Sequence, residues 1–84
     1  MAFEVFVEKK ASKQIEKLPI NMKSKILEAL KELEKGFSGR LDIKKLKGTK
    51  HHYRIRVGEY RILLVLNFEN AYVYDVSHRG NVYE

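Results

Sequence analysis

The stretch Tyr53-Arg-Ile-Arg-Val-Gly-Glu-Tyr-Arg-Ile-Leu-Leu-Val-Leu66 decides the fold. Apolar and basic residues alternate up to Val57, Gly58-Glu59 interrupts, and a second apolar run begins at Tyr60. Alternation at period two marks a strand with one face buried and the other exposed. Two such runs around a Gly-X pair predict a hairpin closed by a type II′ turn. Counting outward from the turn sets Val57 opposite Tyr60, Arg56 opposite Arg61, Ile55 opposite Ile62 and Arg54 opposite Leu63. Ile55, Val57, Tyr60 and Ile62 then share one face, and Arg54, Arg56 and Arg61 share the other. Like charges facing each other across a sheet repel. A face that gathers three guanidinium groups therefore calls for an anion.

Upstream, Phe3-Glu-Val-Phe-Val7 reads as a short strand, with Phe3, Val5 and Val7 on one side and Glu4 and Phe6 on the other. Ala11, Ile15 and Leu18 recur at helical spacing among lysines, which predicts a helix from about Glu8 to Leu18. Pro19 lacks an amide hydrogen and biases Leu18 away from helix, so it ends this element. Met22, Ile26, Ala29, Leu30, Leu33 and Phe37 form the stripe of a second helix, with Asn21 as its expected cap and Gly36 as its stop. These side chains are core packing. Ser38 to His52 is expected to be a Lys- and Gly-rich connection, tacked down by Leu41, Ile43 and Leu46.

Downstream, Asn67-Phe-Glu-Asn70 makes a turn and Ala71 to Ser77 a last strand. A register that buries Asp75 unpaired costs several kcal/mol. Asp75 is therefore expected on the arginine face, where it offsets repulsion, with Tyr72, Tyr74 and Val76 facing the helices. By parity Ser77 and Arg79 join the arginines, and His78 turns toward the helices in a structural role. The expected architecture is α+β, a two-layer β-α-α-β-β-β domain with a helical hairpin on one face of a mainly antiparallel sheet.

At 84 residues the chain is one small domain, and the absence of cysteine excludes a disulfide framework and thiolate metal sites. His51 and His52 lack an identifiable third ligand for a metal site, and no cofactor is expected. The N-terminus lacks the features of a signal peptide, and no apolar run approaches the roughly 18 residues that span a bilayer. The expectation is a cytoplasmic protein without a membrane partner. Eight basic residues, Arg40, Lys44, Lys45, Lys47, Lys50, Arg54, Arg56 and Arg61, lie between positions 40 and 61 against Asp42 and Glu59, a surplus equal to the +6 of the whole chain. Such focused charge favours polyanions.

The order of elements, together with Leu46-Lys-Gly48, the hairpin motif and Ser77-His-Arg-Gly-Asn-Val-Tyr83, resembles the RelE/ParE toxin superfamily over essentially the whole chain. The RelE branch consists of endoribonucleases that cut messenger RNA in the ribosomal decoding site and are held inactive by a cognate RelB-like antitoxin. The resemblance implies a catalytic set of Arg54, Arg56, Arg61, Arg79 and Tyr83. Arg54 and Arg56 occupy positions where well-known RelE enzymes carry lysines. The implied chemistry is attack of a ribose 2′-hydroxyl on the adjacent phosphate, giving a 2′,3′-cyclic phosphate and a 5′-hydroxyl.

Arginines suit the charge stabilisation this reaction needs, through bidentate bonds to phosphate oxygens, but are poor bases. Arg40, Lys44, Lys45, Lys47 and Lys50 are read as contacts to the RNA backbone, which position without specifying sequence, and His51 and His52 as solvated or RNA-facing. Two other functions fit the same fold: a ParE-like inhibitor of DNA gyrase, and a non-catalytic nucleic-acid-binding module.

Overall fold

A computed structural model describes residues 2–36 and 39–78. Strand β1 (Glu4–Val7) leads into helices α1 (Lys9–Glu16) and α2 (Ile20–Glu34), followed by strands β2 (Asp42–Lys45), β3 (His52–Val57), β4 (Tyr60–Asn67) and β5 (Asn70–His78). The five strands form one sheet in the order β1-β5-β4-β3-β2. All pairings are antiparallel except that of β1 with β5. The helices cover one face, giving the α+β two-layer architecture expected, with one strand more than the sequence reading assigned. Asp42–Lys45 is that strand. Its alternation is too short to stand out, and pairing with β3 supplies the order that its own sequence does not signal.

The β3–β4 hairpin has the expected register, from Val57 opposite Tyr60 through Arg56 opposite Arg61 to Arg54 opposite Leu63. Positive φ in its turn is confined to Gly58, at +59°, which matches the φ signs of a type II′ turn. The core lies between the layers. Ala11, Ile15, Ile26, Ala29, Leu30 and Leu33 from the helices meet Ile55, Ile62, Leu64, Leu66, Ala71, Val73 and Val76 from the sheet. Ile55 and Ile62, a cross-strand pair, are both fully buried. Truncating such a side chain to alanine costs about 2–5 kcal/mol.

At eight residues, α1 is too short to persist alone and depends on packing. The α1–α2 turn is set by Pro19, whose carbonyl accepts the Lys23 N–H of the first α2 turn at 2.8 Å. Helix α2 starts at Ile20, one residue before the expected cap. Asn21 lies inside the first turn, where its Oδ1 accepts the Met22 N–H at 3.0 Å. Gly36 ends the helix as expected, at φ +103°, donating to the Leu33 carbonyl. Phe37, the last expected member of the α2 stripe, lies outside the described residues.

The last strand departs from simple alternation. Leu63 pairs with Asp75 but Leu64 pairs with Val73, so Tyr74 is an extra residue, a β-bulge. Parity reverses there. Val76 and His78 keep the helix side, opposite Ile62 and Tyr60, but Tyr72 and Tyr74 go to the arginine face, not to the helices. The expectation that these tyrosines face the helices counted back from Val76 through the bulge and is one residue out of phase.

Candidate nucleic-acid interface

The face not covered by helices is organised as rows across the strands. One row runs Asp42–Arg56–Arg61–Ser77, the next Lys44–Arg54–Leu63–Asp75, and the third His52–Val65–Tyr72–Phe6. Successive rows on one face are about 7 Å apart along the strands. Arg54, Arg56 and Arg61 therefore converge as the hairpin count requires, and Lys44 joins them from β2.

Arg56 and Arg61 sit directly opposite one another. Arg56 is exposed, while Arg54 and Arg61 are half-buried. Among the described residues, the buried Nε of Arg54 has no hydrogen-bond acceptor. A buried donor without an acceptor costs about 1–3 kcal/mol. Partly desolvated guanidinium groups held side by side form a site prepared for an oxyanion.

Asp75 does not serve as the expected counter-charge to the arginines. Its Oδ1 accepts from Gln14 Nε2 at 3.0 Å and pairs with Lys10 Nζ at 3.2 Å, while Oδ2 accepts from Ser77 Oγ at 2.9 Å. Burial pushes this carboxyl up, but the hydrogen bonds from Gln14, Ser77 and Lys10 and the Lys10 charge outweigh it and hold it below the usual value. The carboxylate is engaged with α1, which leaves the arginine rows more positive than the sequence alone suggested.

His52 belongs to this face. Its Nδ1 lies 3.0 Å from the Tyr74 hydroxyl, with the rings edge to face at 5.6 Å. Burial, reinforced by the Asp75 charge and opposed by Lys10, raises the Tyr74 phenol above its ordinary value, so it remains protonated and able to donate. His51 is exposed, and among the described residues no cluster suited to a metal includes either histidine. His78 turns to the helix side and packs edge to face on Tyr60 at 5.1 Å, the structural position expected.

The other basic residues do not form a single patch. Arg40, Lys44, Lys45, Lys47 and Lys50 are all exposed, and of the two that the strand register places, Lys44 lies on the arginine face. Lys45, opposite Tyr53, takes the other side of β2. Arg40 instead lines a groove of about 690 Å³ between α2 and the β2–β3 edge, with Asp42 and Arg56. Arg79 and Tyr83 lie outside the described residues. Among the described residues, no helix is long and apolar enough to cross a membrane.

Sequence reasoning missed Phe6, Tyr72 and Tyr74 as members of this face, whereas His52 takes the outward-facing place expected of it. A signal for the tyrosines was present. The small apolar residues Ala71, Val73 and Val76 are spaced two and then three apart, and both spacings can face one core only if the strand carries an extra residue.

This arrangement, two helices behind a sheet whose open face is cationic, defines a RelE-like toxin fold. No family model matches the chain. The toxin RelE3 of Methanocaldococcus jannaschii is 47% identical over 45 residues, a match that spans 54% of this chain and 51% of RelE3. The crystal structure of a RelB-RelE antitoxin-toxin complex from Methanococcus jannaschii matches at 32% identity and a TM-score of 0.81, covering 93% of this chain and 94% of the other. An archaeal RelE-RelB complex from Pyrococcus horikoshii OT3 matches at 27% identity and a TM-score of 0.82, covering 98% and 100%. The chain belongs to the RelE toxin family.

Proposed function

We propose that this chain is the toxin of a type II toxin-antitoxin pair, an endoribonuclease that cuts messenger RNA on the ribosome and so inhibits translation. The observation that carries this reading is the convergence of Arg54, Arg56 and Arg61 on one uncovered sheet face, with their charge uncompensated by Asp75. The relatives in complex with RelB support an antitoxin partner of that type, and a messenger RNA substrate on the ribosome is in keeping with a cytoplasmic protein.

The reaction begins with the ribose 2′-oxygen attacking the adjacent phosphorus while its proton passes to a base. The P–O5′ bond then breaks, the departing oxygen takes up a proton, and the products are a 2′,3′-cyclic phosphate and a 5′-hydroxyl. Negative charge accumulates on the non-bridging oxygens as the phosphorane forms. Arg61 and Arg79 are assigned to those oxygens, Arg54 and Arg56 to electrostatic support, and Tyr83 to stacking on or orienting the substrate. A guanidinium fork fixed before the reaction stabilises this charge with no reorganisation. Lys44 extends the phosphate track and Arg40, Lys47 and Lys50 contact the RNA backbone beyond it, whereas Lys45, on the other side of β2, does not join that track.

The test is induction in a translating extract followed by mapping of message ends. Cleaved messages on ribosomes, lost in Arg61→Ala and suppressed by the product of a neighbouring open reading frame, are the expected result. Intact messages accompanied by DNA damage would assign the chain to gyrase inhibition instead. Binding to ribosomes without cleavage would make it a non-catalytic module.

A further inference from the structure

The third row of the open face is not cationic. Phe6 and Tyr72 stack across β1 and β5 with ring centroids 5.3 Å apart and planes inclined by 16°. Val65 continues the row to His52, which is locked to Tyr74 by the 3.0 Å hydrogen bond. Phe6 is 42% exposed although it pairs with a ring that could have been its cover. We propose that this row is a shelf on which unpaired RNA bases stack while the neighbouring rows hold the phosphates. The proposal rests on the reading of the face as an RNA site and adds to it a subsite for bases.

Three features point the same way. First, the shelf adjoins the Lys44–Arg54 row, and a spacing of about 7 Å between rows suits a nucleotide whose phosphate lies on one row and whose base lies on the next. Second, the rings are fixed in advance, by stacking in one pair and by a hydrogen bond in the other, so ordering them on binding costs little. Third, the shelf is bounded on its far side by Glu4, which shares its face of β1 and is exposed. A carboxylate there repels phosphate and tolerates an uncharged base. The charge pattern thus separates where the backbone runs from where bases rest. Aromatic side chains on a sheet flanked by cations hold single strands in this way, with little sequence preference.

The test uses the full chain and two labelled probes of equal length, a 2′-O-methyl octanucleotide, which cannot be cut, and its abasic counterpart. Wild type is expected to bind the base-bearing probe about tenfold more tightly, the order of one stacked base. The double variant Phe6→Leu/Tyr72→Leu keeps apolar volume but removes the π faces. It is expected to bind both probes at the abasic level, with its melting temperature confirming the fold. The single variant Phe6→Tyr, which keeps a ring beside Tyr72, should retain the discrimination that the double variant loses.

Equal binding of the two probes by wild type, or binding of neither, overturns the shelf whether or not messages are cut. Unchanged discrimination in the double variant, with a loss confined to antitoxin affinity, would assign the row to the antitoxin and also overturn it. Message cleavage and its loss in Arg61→Ala test the underlying reading separately.

Discussion

Gln14 of α1 serves β5 where a neighbouring strand would. Strand β1 pairs with β5 only from Asn70 to Val73. Beyond it, the Val76 N–H donates to Gln14 Oε1 at 2.7 Å, and Gln14 Nε2 donates to Asp75 at 3.0 Å. One amide thus satisfies the backbone just past the bulge and fixes the carboxylate beside it. Gln14→Leu should keep the volume but leave the Val76 donor and part of the Asp75 carboxylate unsatisfied, a loss of about 1–3 kcal/mol. Gln14→Glu should be worse, because it sets a second carboxylate against Asp75. Urea unfolding of the three proteins measures both.

The same carboxylate gives the fold an acid limit. Despite the opposing effect of burial, Asp75 is held below its ordinary value by hydrogen bonds from Gln14, Ser77 and Lys10 and by the Lys10 charge. The unfolded chain therefore takes up this proton at a higher pH than the folded one. The stabilisation is present above the unfolded value, about 3.9, and is lost as pH falls through the folded value. Tyr74 sets the opposite limit. Its folded phenol is raised, mainly by burial, so stability is full below the ordinary value of 10.0 and is lost as pH rises through the folded value. Thermal melts across pH should show both edges, with the acid edge moving less in Asp75→Asn and the alkaline edge less in Tyr74→Phe.

Arg56 lies between Arg61 on β4 and Asp42 on β2, so function and stability should separate at this position. Arg56→Ala removes an exposed charge that meets a like charge on one side and Asp42 on the other, so the two effects offset and the melting temperature should change little. Message cleavage should fall by about 10²-fold if Arg56 stabilises the phosphorane. Arg61→Lys keeps the charge and loses the fork; it should recover binding to RNA better than cleavage. A variant at Arg56 that melted several degrees lower while cutting messages normally would remove it from the site.

The hairpin and its arginine face were legible because strand period, turn chemistry and charge all agreed over Tyr53–Leu66. Helix α2 was legible for the same reason, with its stripe and Gly36 pointing to one boundary. What escaped the sequence depends on partners distant in the chain. Asp42–Lys45 becomes a strand because β3 presents an open edge. Tyr72 and Tyr74 reach the arginine face because Gln14, some sixty residues earlier, supports the bulge that shifts their phase. Asp75 is drawn to Lys10 rather than to the arginines by an α1 face that no local pattern in β5 can reveal. The lysines of the connection were read together from their spacing, yet pleating sends Lys44 and Lys45 to opposite sides.

Phe68 sits at the first position of the two-residue β4–β5 turn with φ +58° and 91% of its surface exposed. A bulky side chain at positive φ costs roughly 1–2 kcal/mol relative to the right-handed region, and an aromatic ring in water gains nothing in return. With positive φ confined to its first residue, this turn has the φ signs of type II′, whose first position favours glycine; asparagine tolerates positive φ less fully but enlarges the unfolded ensemble less. Phe68→Gly should therefore stabilise the fold by about 0.5–1 kcal/mol, and Phe68→Asn by somewhat less. Message cleavage should be unaffected if the ring has no role. A stabilised Phe68→Asn protein that had lost toxicity would instead show that the strain is retained because the exposed ring is used. Urea unfolding and induction in a translating extract, run on the same two variants, decide between these outcomes.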